Sequence, residues 1–280
     1  NSSLGCMDIV DAHVRIEGLQ FVHTTTLTGI HAVTMEDAGI AGEIRIESCI
    51  VKGILTGSAS NRAGIYMISA TTGTVLKVSN CVIYDIIDGV TAAHYGFRNL
   101  TGNATVYVYN VTVQNCLTGF NRDAGTVVAK NCIAQDCNNG FNGTFDAAST
   151  DNCSDITSDA PGGNPQTGEV VFLDEANDDF HLDSSDTIAK GQGSDLSADS
   201  NYPISVDIDG ETRSGSWDIG ADQTSGETTN KFQSGLSRIT IVLDRFQNGI
   251  SRITQITSRF QNGISRIQIS SNGFQDGKSR

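Results

Sequence analysis

The stretch QNCLTGFNRDAGTVVAKNCIA at residues 114–134 is followed without a gap by QDCNNGFNGTFDAASTDNCSD at residues 135–155. Both stretches carry Gln, Cys, Gly, Phe and an Asn-Cys pair at equivalent places. A unit of about 20 residues cannot bury an apolar face by itself, so successive units must stack on one another. The direct repeat therefore predicts a solenoid made of short coils.

The same register extends towards the N-terminus. Its marker is a glycine that recurs at spacings of 28, 32, 30 and 21 residues: Gly29, Gly57, Gly89, Gly119 and Gly140. An apolar residue stands eight positions before each glycine: Phe21, Cys49, Cys81, Val111 and Cys132. Another stands thirteen positions before each glycine: Ile16, Ile44, Leu76, Val106 and Val127. The longer coils must bulge, and we expect the bulges at 31–43, 58–74 and 91–104, where a binding surface would most naturally lie.

Apolar and polar residues alternate inside each unit, for example over residues 75–80 and 105–109, which is typical of strands. Stacked strands with this period predict an all-β chain folded as a parallel β-helix, with a C-terminal cap and a short repeat tail. We place the coils at residues 1–160, the terminal coils and cap at 161–225, and a 14-residue tandem-repeat tail at 226–280.

Asparagines recur one residue before the Cys/Val column: Asn80, Asn110, Asn131 and Asn152. An Asn in the same turn of each coil can hydrogen-bond the Asn above and below it, so these residues are predicted to cap the turn as a ladder.

The seven cysteines also fall into columns. We expect one column to contain Cys49, Cys81, Cys132 and Cys153, and a second to contain Cys116 and Cys137. Side chains in such columns run parallel rather than towards each other, so we interpret them as inward-facing thiols that act as small hydrophobes. Disulfides are an alternative, and no spacing is typical of a metal site.

The net charge of −14 is unevenly distributed. Residues 231–280 hold eight Lys/Arg and two Asp, whereas the rest of the chain holds 10 basic and 30 acidic residues. An acidic body argues against nucleic acid as a partner, because phosphate binding needs a basic face. The basic tail could dock on an acidic surface, including another copy of the body, or could simply be solvated. No apolar run is long enough to span a membrane.

The tail repeats a phenylalanine every 14 residues: Phe232, Phe246, Phe260 and Phe274. Its apolar residues step by threes and fours, as in a coiled coil. However, each repeat contains a Gly, which costs a helix about 1 kcal/mol, and Asn-Gly between apolar positions is a hairpin signal. The sequence favours a β-structured or loosely ordered repeat, with a helical stalk and a disordered linker as alternatives.

Three short motifs follow the coils: Phe180-His181-Leu182, Asp207-Ile208-Asp209-Gly210 with Arg213, and Asp218-Ile219-Gly220-Ala221-Asp222. Together with the coils, over about residues 10–223, they resemble bacterial right-handed parallel β-helix proteins of the pectin-lyase-like superfamily, which often carry a choice-of-anchor terminal region. The resemblance implies a right-handed β-helix that is secreted or displayed on the cell surface. It does not imply an activity, because most such relatives have no assigned reaction. We expect Trp217 to cover the open end of the solenoid.

Three carboxylates are weak candidates for catalysis, namely Asp85, Asp88 and Asp136. Asp85 and Asp136 fall in one column, two coils or roughly 10 Å apart, at the edge of the range of an inverting glycosidase pair. A lyase would also need a base such as Lys or Arg, and Lys52 lies one position from the column. The alternative is that these are turn residues that bond their own backbone.

A structural Ca²⁺ ion could be held by oxygen ligands from Asp207, Asp209, Asp218 and Asp222. The Asp-Ile-Asp-Gly run at 207–210 is half of a calcium-loop pattern and lacks the bidentate Glu. The alternative is a structural turn in which Arg213 pairs with one of these aspartates. The sequence indicates no other cofactor.

Three functions are therefore open. The first is a non-catalytic extracellular surface or appendage protein that binds glycans or self-associates through residues 231–280, tethered by the repeat tail. The second is a polysaccharide lyase or glycoside hydrolase of the pectin-lyase-like group. The third is a phage tailspike or fibre component. The missing catalytic cluster and the acidic body favour the first.

Overall fold

The computed structural model describes residues 6–25, 28–36, 39, 41–56, 61–88 and 93–224. Three parallel sheets extend along the coils, and successive coils pair strand to strand in each sheet. The described chain is nearly all β, and it confirms the parallel β-helix predicted from the repeats. The tandem-repeat tail, Gly57 and Gly89 lie outside the described residues.

Successive strands from β1 to β16 belong to sheets A, B and C in turn. Sheet A contains Met7–Ile9 (β1), Val33–Met35 (β4), Arg62–Met67 (β7), His94–Asn99 (β10), Thr118–Arg122 (β13) and Asn139–Asn142 (β16). Sheet B contains Val14–Glu17 (β2), Glu43–Glu47 (β5), Val75–Ser79 (β8), Thr105–Tyr109 (β11) and Thr126–Lys130 (β14). Sheet C contains Gln20–Thr25 (β3), Ile50–Leu55 (β6), Val82–Tyr84 (β9), Thr112–Gln114 (β12), Ile133–Gln135 (β15), Cys153–Ser154 (β17) and Gln166–Thr167 (β18).

Columns of apolar side chains fill the interior of the coils. In sheet B the inward column contains Val14, Ile44, Leu76, Val106 and Val127. In sheet C it contains Val51, Ile83, Val113 and Ala134. Each coil thus buries its apolar face against the coils above and below, at about 25 cal/mol per Å² of apolar surface removed from water.

Five cysteines are inward core residues, as predicted, whereas Cys153 packs with Ile133 in the cluster on the outer side of sheet C; the five are Cys49, Cys81, Cys116, Cys132 and Cys137. Within the described residues none of the seven forms a disulfide, and all except Cys6 are buried. Cys49 and Cys81 are equivalent in adjacent coils, and so are Cys116 and Cys137. Burial raises the pKa of the Cys132 thiol to about 12, so this side chain is an unreactive small hydrophobe.

The predicted register is wrong at both ends of the stack. In the first coil Val14, not Ile16, pairs with Ile44, and the alignment is shifted by two residues. In the last coil Ile133 pairs with Cys153, so Cys153 lies one position beyond the column assigned to it. The error arises because a fixed offset from a glycine assumes corner loops of constant length.

The marker glycine also differs in the longer coils. Gly119 and Gly140 are neighbours in sheet A, as predicted, but the column continues through Gly96 and Gly64, not through Gly89 and Gly57. A Cβ on Gly119 would lie 2.6 Å from the carbonyl oxygen of Gly140, so this column leaves no room for side chains.

The three predicted bulges each contain a strand of sheet A, so they are not simple loops. Residues 31–43 include β4, residues 58–74 include β7 and residues 91–104 include β10. These strands escaped prediction because their polar and apolar residues do not alternate, and every residue of β7 is buried.

The chain after the coils packs along their outer side. Seven of its residues cover Val82, Tyr84 and Ile133 of sheet C: Val170, Phe172, Phe180, Leu182, Ala189, Ile219 and Ala221. Four others, Leu196, Tyr202, Ile204 and Trp217, cover Tyr109 and Val128 of sheet B. Trp217 therefore packs against the side of the solenoid, not over its end, because the outer faces of sheets B and C are themselves apolar.

Beyond the coils the chain forms Phe172–Asp174 (β19), a 3-10 turn at Glu175–Asn177 and Asp179–Leu182 (β20). The described residues up to 173 and residues 180–224 form one compact unit. Among the described residues, no helix has the length and hydropathy needed to cross a membrane.

Candidate functional site

Asparagines line the turn between sheets B and C. Asn110 Nδ2 donates to Asn80 Oδ1 at 3.3 Å, and Asn131 Nδ2 donates to Asn110 Oδ1 at 3.0 Å. All three have φ between 50° and 53°, the left-handed conformation that Asn tolerates better than most residues. The predicted ladder is confirmed for these three residues, but Asp151, with φ of 52°, takes the next place instead of Asn152.

Asp85 and Asp136 share a second turn column, between sheets C and A, with Asn115 between them. All three have positive φ. Asn115 Nδ2 donates to Asp85 Oδ1 at 2.7 Å, and Gln114 Nε2 donates to Asp136 Oδ2 at 2.7 Å. The structure thus places both carboxylates in one column, as the sequence predicted, and engages both in hydrogen bonds to amide side chains.

Asp88 lies apart from them in a buried cluster at the corner between sheets C and A. This corner cluster comprises His23, His31, Arg62, Asp88 and His94. Asp88 Oδ2 is 3.3 Å from Arg62 Nη1, Asp88 Oδ1 is 3.0 Å from His94 Nε2, and the three side chains are fully buried. A buried charge is costly unless it is paired, so the carboxylate and the guanidinium depend on each other.

The histidines of the corner cluster are held neutral. Among the described residues, both ring nitrogens of His23 and Nδ1 of His31 lack a hydrogen-bond partner. Burial, followed by the Arg62 charge, lowers the pKa of His23 to about 4. Burial, with His23 and Arg98 nearby, lowers the pKa of His31 to about 3. Burial also lowers the pKa of His94, and this effect outweighs the opposing effect of Asp88.

A tyrosine–arginine strip lies on the outer side of sheet A, formed by Tyr66, Tyr95, Arg98, Asp123 and Asn142. Within it Tyr66 is buried and Tyr95 is partly exposed. The Arg98 guanidinium stacks on Tyr95, 4.4 Å from the ring centroid, and on Tyr66 at 5.2 Å. Its Nε donates to Asp123 Oδ2 at 2.7 Å. Asn142 lies two strands further along the same column and is exposed. The strip is distinct from the outer faces of sheets B and C, which the C-terminal segment covers.

The four aspartates predicted to bind calcium have different surroundings. Asp218 Oδ1 accepts the Gly191 amide at 2.7 Å, and Oδ2 accepts the amide and hydroxyl of Thr224 at 2.6 Å, so this carboxylate fixes the chain. The buried Arg213 donates to three main-chain oxygens, those of Asp218, Gly220 and Ala221. Asp218 and Arg213 therefore hold the backbone of these motifs in place.

Asp209 and Asp222 instead meet His181. One ligand atom from each of the three lies within 4.8 Å of the others. His181 Nε2 is 2.9 Å from Asp209 Oδ2, and Asp222 Oδ2 accepts the Leu182 amide at 2.8 Å. Beside them is the buried Asp207, whose pKa is raised to about 7, first by burial and then by the Asp222 carboxylate.

Sequence reasoning missed several of these residues. His181 was not recognised as a ligand candidate, although each of the three C-terminal motifs contributes one residue to its cluster. Arg62 and His94, the partners of Asp88, begin equivalent strands of sheet A. They were hidden because those strands were taken for bulges. Tyr95 and Arg98 do lie in one of the regions, 91–104, where a binding surface was expected.

No protein-family model, curated protein or solved structure matches the chain. The function must therefore be inferred from the geometry described above.

Proposed function

We propose that the chain is a non-catalytic β-helix of the bacterial cell surface, related to the pectin-lyase-like proteins, that binds glycans through the tyrosine–arginine strip. The observation that carries the proposal is the strip itself. Aromatic rings stack on the apolar faces of sugars, while guanidinium, carboxylate and amide groups hydrogen-bond their hydroxyls. Tyrosine and arginine are also the residues that most often dominate binding energy at interfaces.

The strands that carry the tyrosine–arginine strip suit the binding of an extended ligand. Its residues stand on β7, β10 and β16 and directly after β13, and these four strands are paired in one sheet. Adjacent strands are about 4.8 Å apart, so the strip offers a row of contacts with fixed spacing. A rigid surface loses little conformational entropy on binding, which increases affinity for an extended ligand.

The three candidate carboxylates favour binding over hydrolysis. Glycoside hydrolysis needs the bond to be cleaved to lie between two carboxyl groups. Asn115 occupies the column between Asp85 and Asp136 and donates to Asp85. Asp88 is buried and contacts Arg62 and His94. The lyase and hydrolase alternative therefore has less support than glycan binding.

The charge of the body predicts the class of glycan. Outside residues 231–280 the chain holds 10 basic and 30 acidic residues. Such a surface repels polyuronates over distances comparable with the Debye length, about 10 Å at 0.1 M salt. We therefore expect neutral polysaccharides to bind more tightly than pectate or alginate.

The test is the affinity of the full chain for soluble neutral and acidic polysaccharides, measured by affinity electrophoresis and calorimetry. Tyr95→Ala and Arg98→Ala should each weaken binding about fivefold or more, since truncating a central contact commonly costs more than 1 kcal/mol. Tyr107→Ala, a tyrosine truncation on sheet B, is the matched control and should bind like the wild type. Thermal unfolding establishes that each variant is folded.

Two outcomes would reject the proposal. Equal loss of affinity in Tyr95→Ala and Tyr107→Ala would place the ligand elsewhere. Shortening of the polysaccharide, detected as new reducing ends or unsaturated uronates, would show that the chain is a hydrolase or a lyase. Loss of cleavage in Asp85→Asn or Asp136→Asn would then identify the acid–base pair.

A further inference from the structure

We propose that His181, Asp209 and Asp222 form a binding site for a first-row divalent transition-metal ion, for which Zn²⁺ is the probe. These residues are called here the three-motif site, because each comes from a different one of the three C-terminal motifs. The site is independent of the tyrosine–arginine strip and of the glycan proposal.

The donor atoms are close to the spacing that an ion requires. One imidazole nitrogen and two carboxylate oxygens lie within 4.8 Å of one another. Ligands at about 2.0–2.2 Å from Zn²⁺ are about 3–4 Å apart, so small rotations of side chains would complete the site. Three protein donors leave at least one coordination position for water.

The donor types select the ion. Imidazole nitrogen with carboxylate oxygen suits Zn²⁺, Mn²⁺ and similar ions, whereas Ca²⁺ takes six to eight oxygen ligands. Asp218, which the calcium prediction required, already accepts hydrogen bonds on both oxygens. The proposed site shares Asp209 and Asp222 with the set predicted for calcium, Asp207, Asp209, Asp218 and Asp222, and adds His181.

Neighbouring groups orient these ligands. The Leu182 amide donates to Asp222 Oδ2 at 2.8 Å and so fixes that carboxylate next to His181. Asp207 Oδ1 accepts the amides of Asp209 and Glu211, at 3.0 and 2.8 Å, and shapes the turn that presents Asp209. Outer contacts of this kind are a regular part of metal sites.

A second observation points to a bound cation. Asp207 is only 1% exposed, and the described hydrogen bonds to its carboxylate all end on Oδ1. Because its Oδ1 accepts the amide of Asp209, this buried carboxyl group adjoins one of the proposed ligands. Arg213 is nearby, but its guanidinium donates to three main-chain carbonyls. A divalent ion at the three-motif site would offset the negative charge of these neighbouring carboxyl groups.

The test is titration of the metal-free full chain with Zn²⁺ by calorimetry, after dialysis against EDTA, in a Cys6→Ser background that removes the exposed thiol. We expect one ion per chain. His181→Ala and Asp209→Asn should each weaken binding about tenfold or more, the lower range for disturbing a metal site. Asp195→Asn, which alters an exposed turn aspartate, is the control and should bind normally. Circular dichroism shows whether the variants fold.

A second readout identifies the ligands. Co²⁺ bound in place of Zn²⁺ should give a visible spectrum of nitrogen and oxygen ligation, with no thiolate charge-transfer band, and His181→Gln should abolish it. Added Zn²⁺ should raise the unfolding temperature of the parent chain but not of His181→Gln. Absence of Zn²⁺ and Co²⁺ binding, wild-type affinity in His181→Ala, or Ca²⁺ binding that His181→Ala leaves unchanged would overturn the assignment.

Discussion

Left-handed turn residues set the corners of this solenoid. Asn80, Asn110 and Asn131 have positive φ between sheets B and C, and their amides link successive coils. The ladder could be predicted because the same residue type recurs at the same place in each coil. The place of Asp151 in this column could not be predicted. The repeat was aligned without a gap, whereas the strand pairing shows that the last coil is one residue shorter.

Substituting Asn110 separates the two contributions of a ladder residue. Asn110→Ala should cost about 3 kcal/mol, because it removes two buried hydrogen bonds and forces a Cβ residue into the left-handed region. Asn110→Gly should cost about 1–2 kcal/mol, because glycine adopts this φ readily and loses mainly the hydrogen bonds. Urea unfolding measures both. Equal costs would show that backbone conformation contributes nothing here.

At the scale of elements, sheets B and C were predictable and sheet A was not. In sheets B and C, apolar and polar residues alternate along the strands with period two. In sheet A, β7 and β10 contain glycine and bury residues on both faces. Overlooking sheet A also concealed the tyrosine–arginine strip and the corner cluster, since both depend on which residues of β7 and β10 are neighbours. Pairing across coils is a long-range property that no local pattern specifies.

The corner cluster makes the stability of the N-terminal coils depend on pH. His23 and His31 have pKa values of about 4 and 3, well below the value of about 6.5 in an unfolded chain. Between pH 6.5 and 4 the unfolded chain therefore binds protons that the folded chain excludes. Stability is complete above pH 6.5 and falls as pH decreases, because protonated imidazoles would face Arg62 and Arg98.

His31→Phe is the corresponding variant. It keeps an aromatic ring beside Tyr66, 4.3 Å away between centroids, and removes one group that titrates. The loss of unfolding free energy between pH 7 and pH 4 should shrink by on the order of 2 kcal/mol. Phe97→Leu, which changes a buried core ring but no titratable group, is the control and should leave the slope unchanged. An unaltered slope in His31→Phe would mean that other groups cause the acid sensitivity.

For the molecule as a whole, the C-terminal segment holds the coils together from outside. The Tyr202 hydroxyl donates to Glu47 Oε1 and is 2.6 Å from Ser79 Oγ, so one side chain contacts two strands far upstream. The resemblance in the sequence indicated that such a segment exists, but not where it packs. Trp217 shows how far sequence-based prediction reaches. A single tryptophan indicates that the residue is buried, but it does not indicate which surface buries it.

Tyr202→Phe tests this connection. It should lower the unfolding free energy by about 2 kcal/mol, because the buried Glu47 carboxylate loses a hydrogen bond. Trp217 fluorescence follows the segment and circular dichroism follows the coils, and both transitions should shift together. Tyr107→Phe, whose hydroxyl has no described hydrogen bond, is the control. If fluorescence changed at lower urea than dichroism, the segment would detach independently of the coils.

The packing of residues 170–173 and 180–221 over sheets B and C has a consequence for biosynthesis. A ribosome completes the coils before it makes the segment that shields them, so the aromatic outer surface around Tyr84 and Tyr109 is bare during that interval. Nascent chains on one messenger would be prone to adhere to each other at this stage. Chaperone engagement, or a slow stretch of translation placed after residue 221, would then determine how much protein reaches its final form.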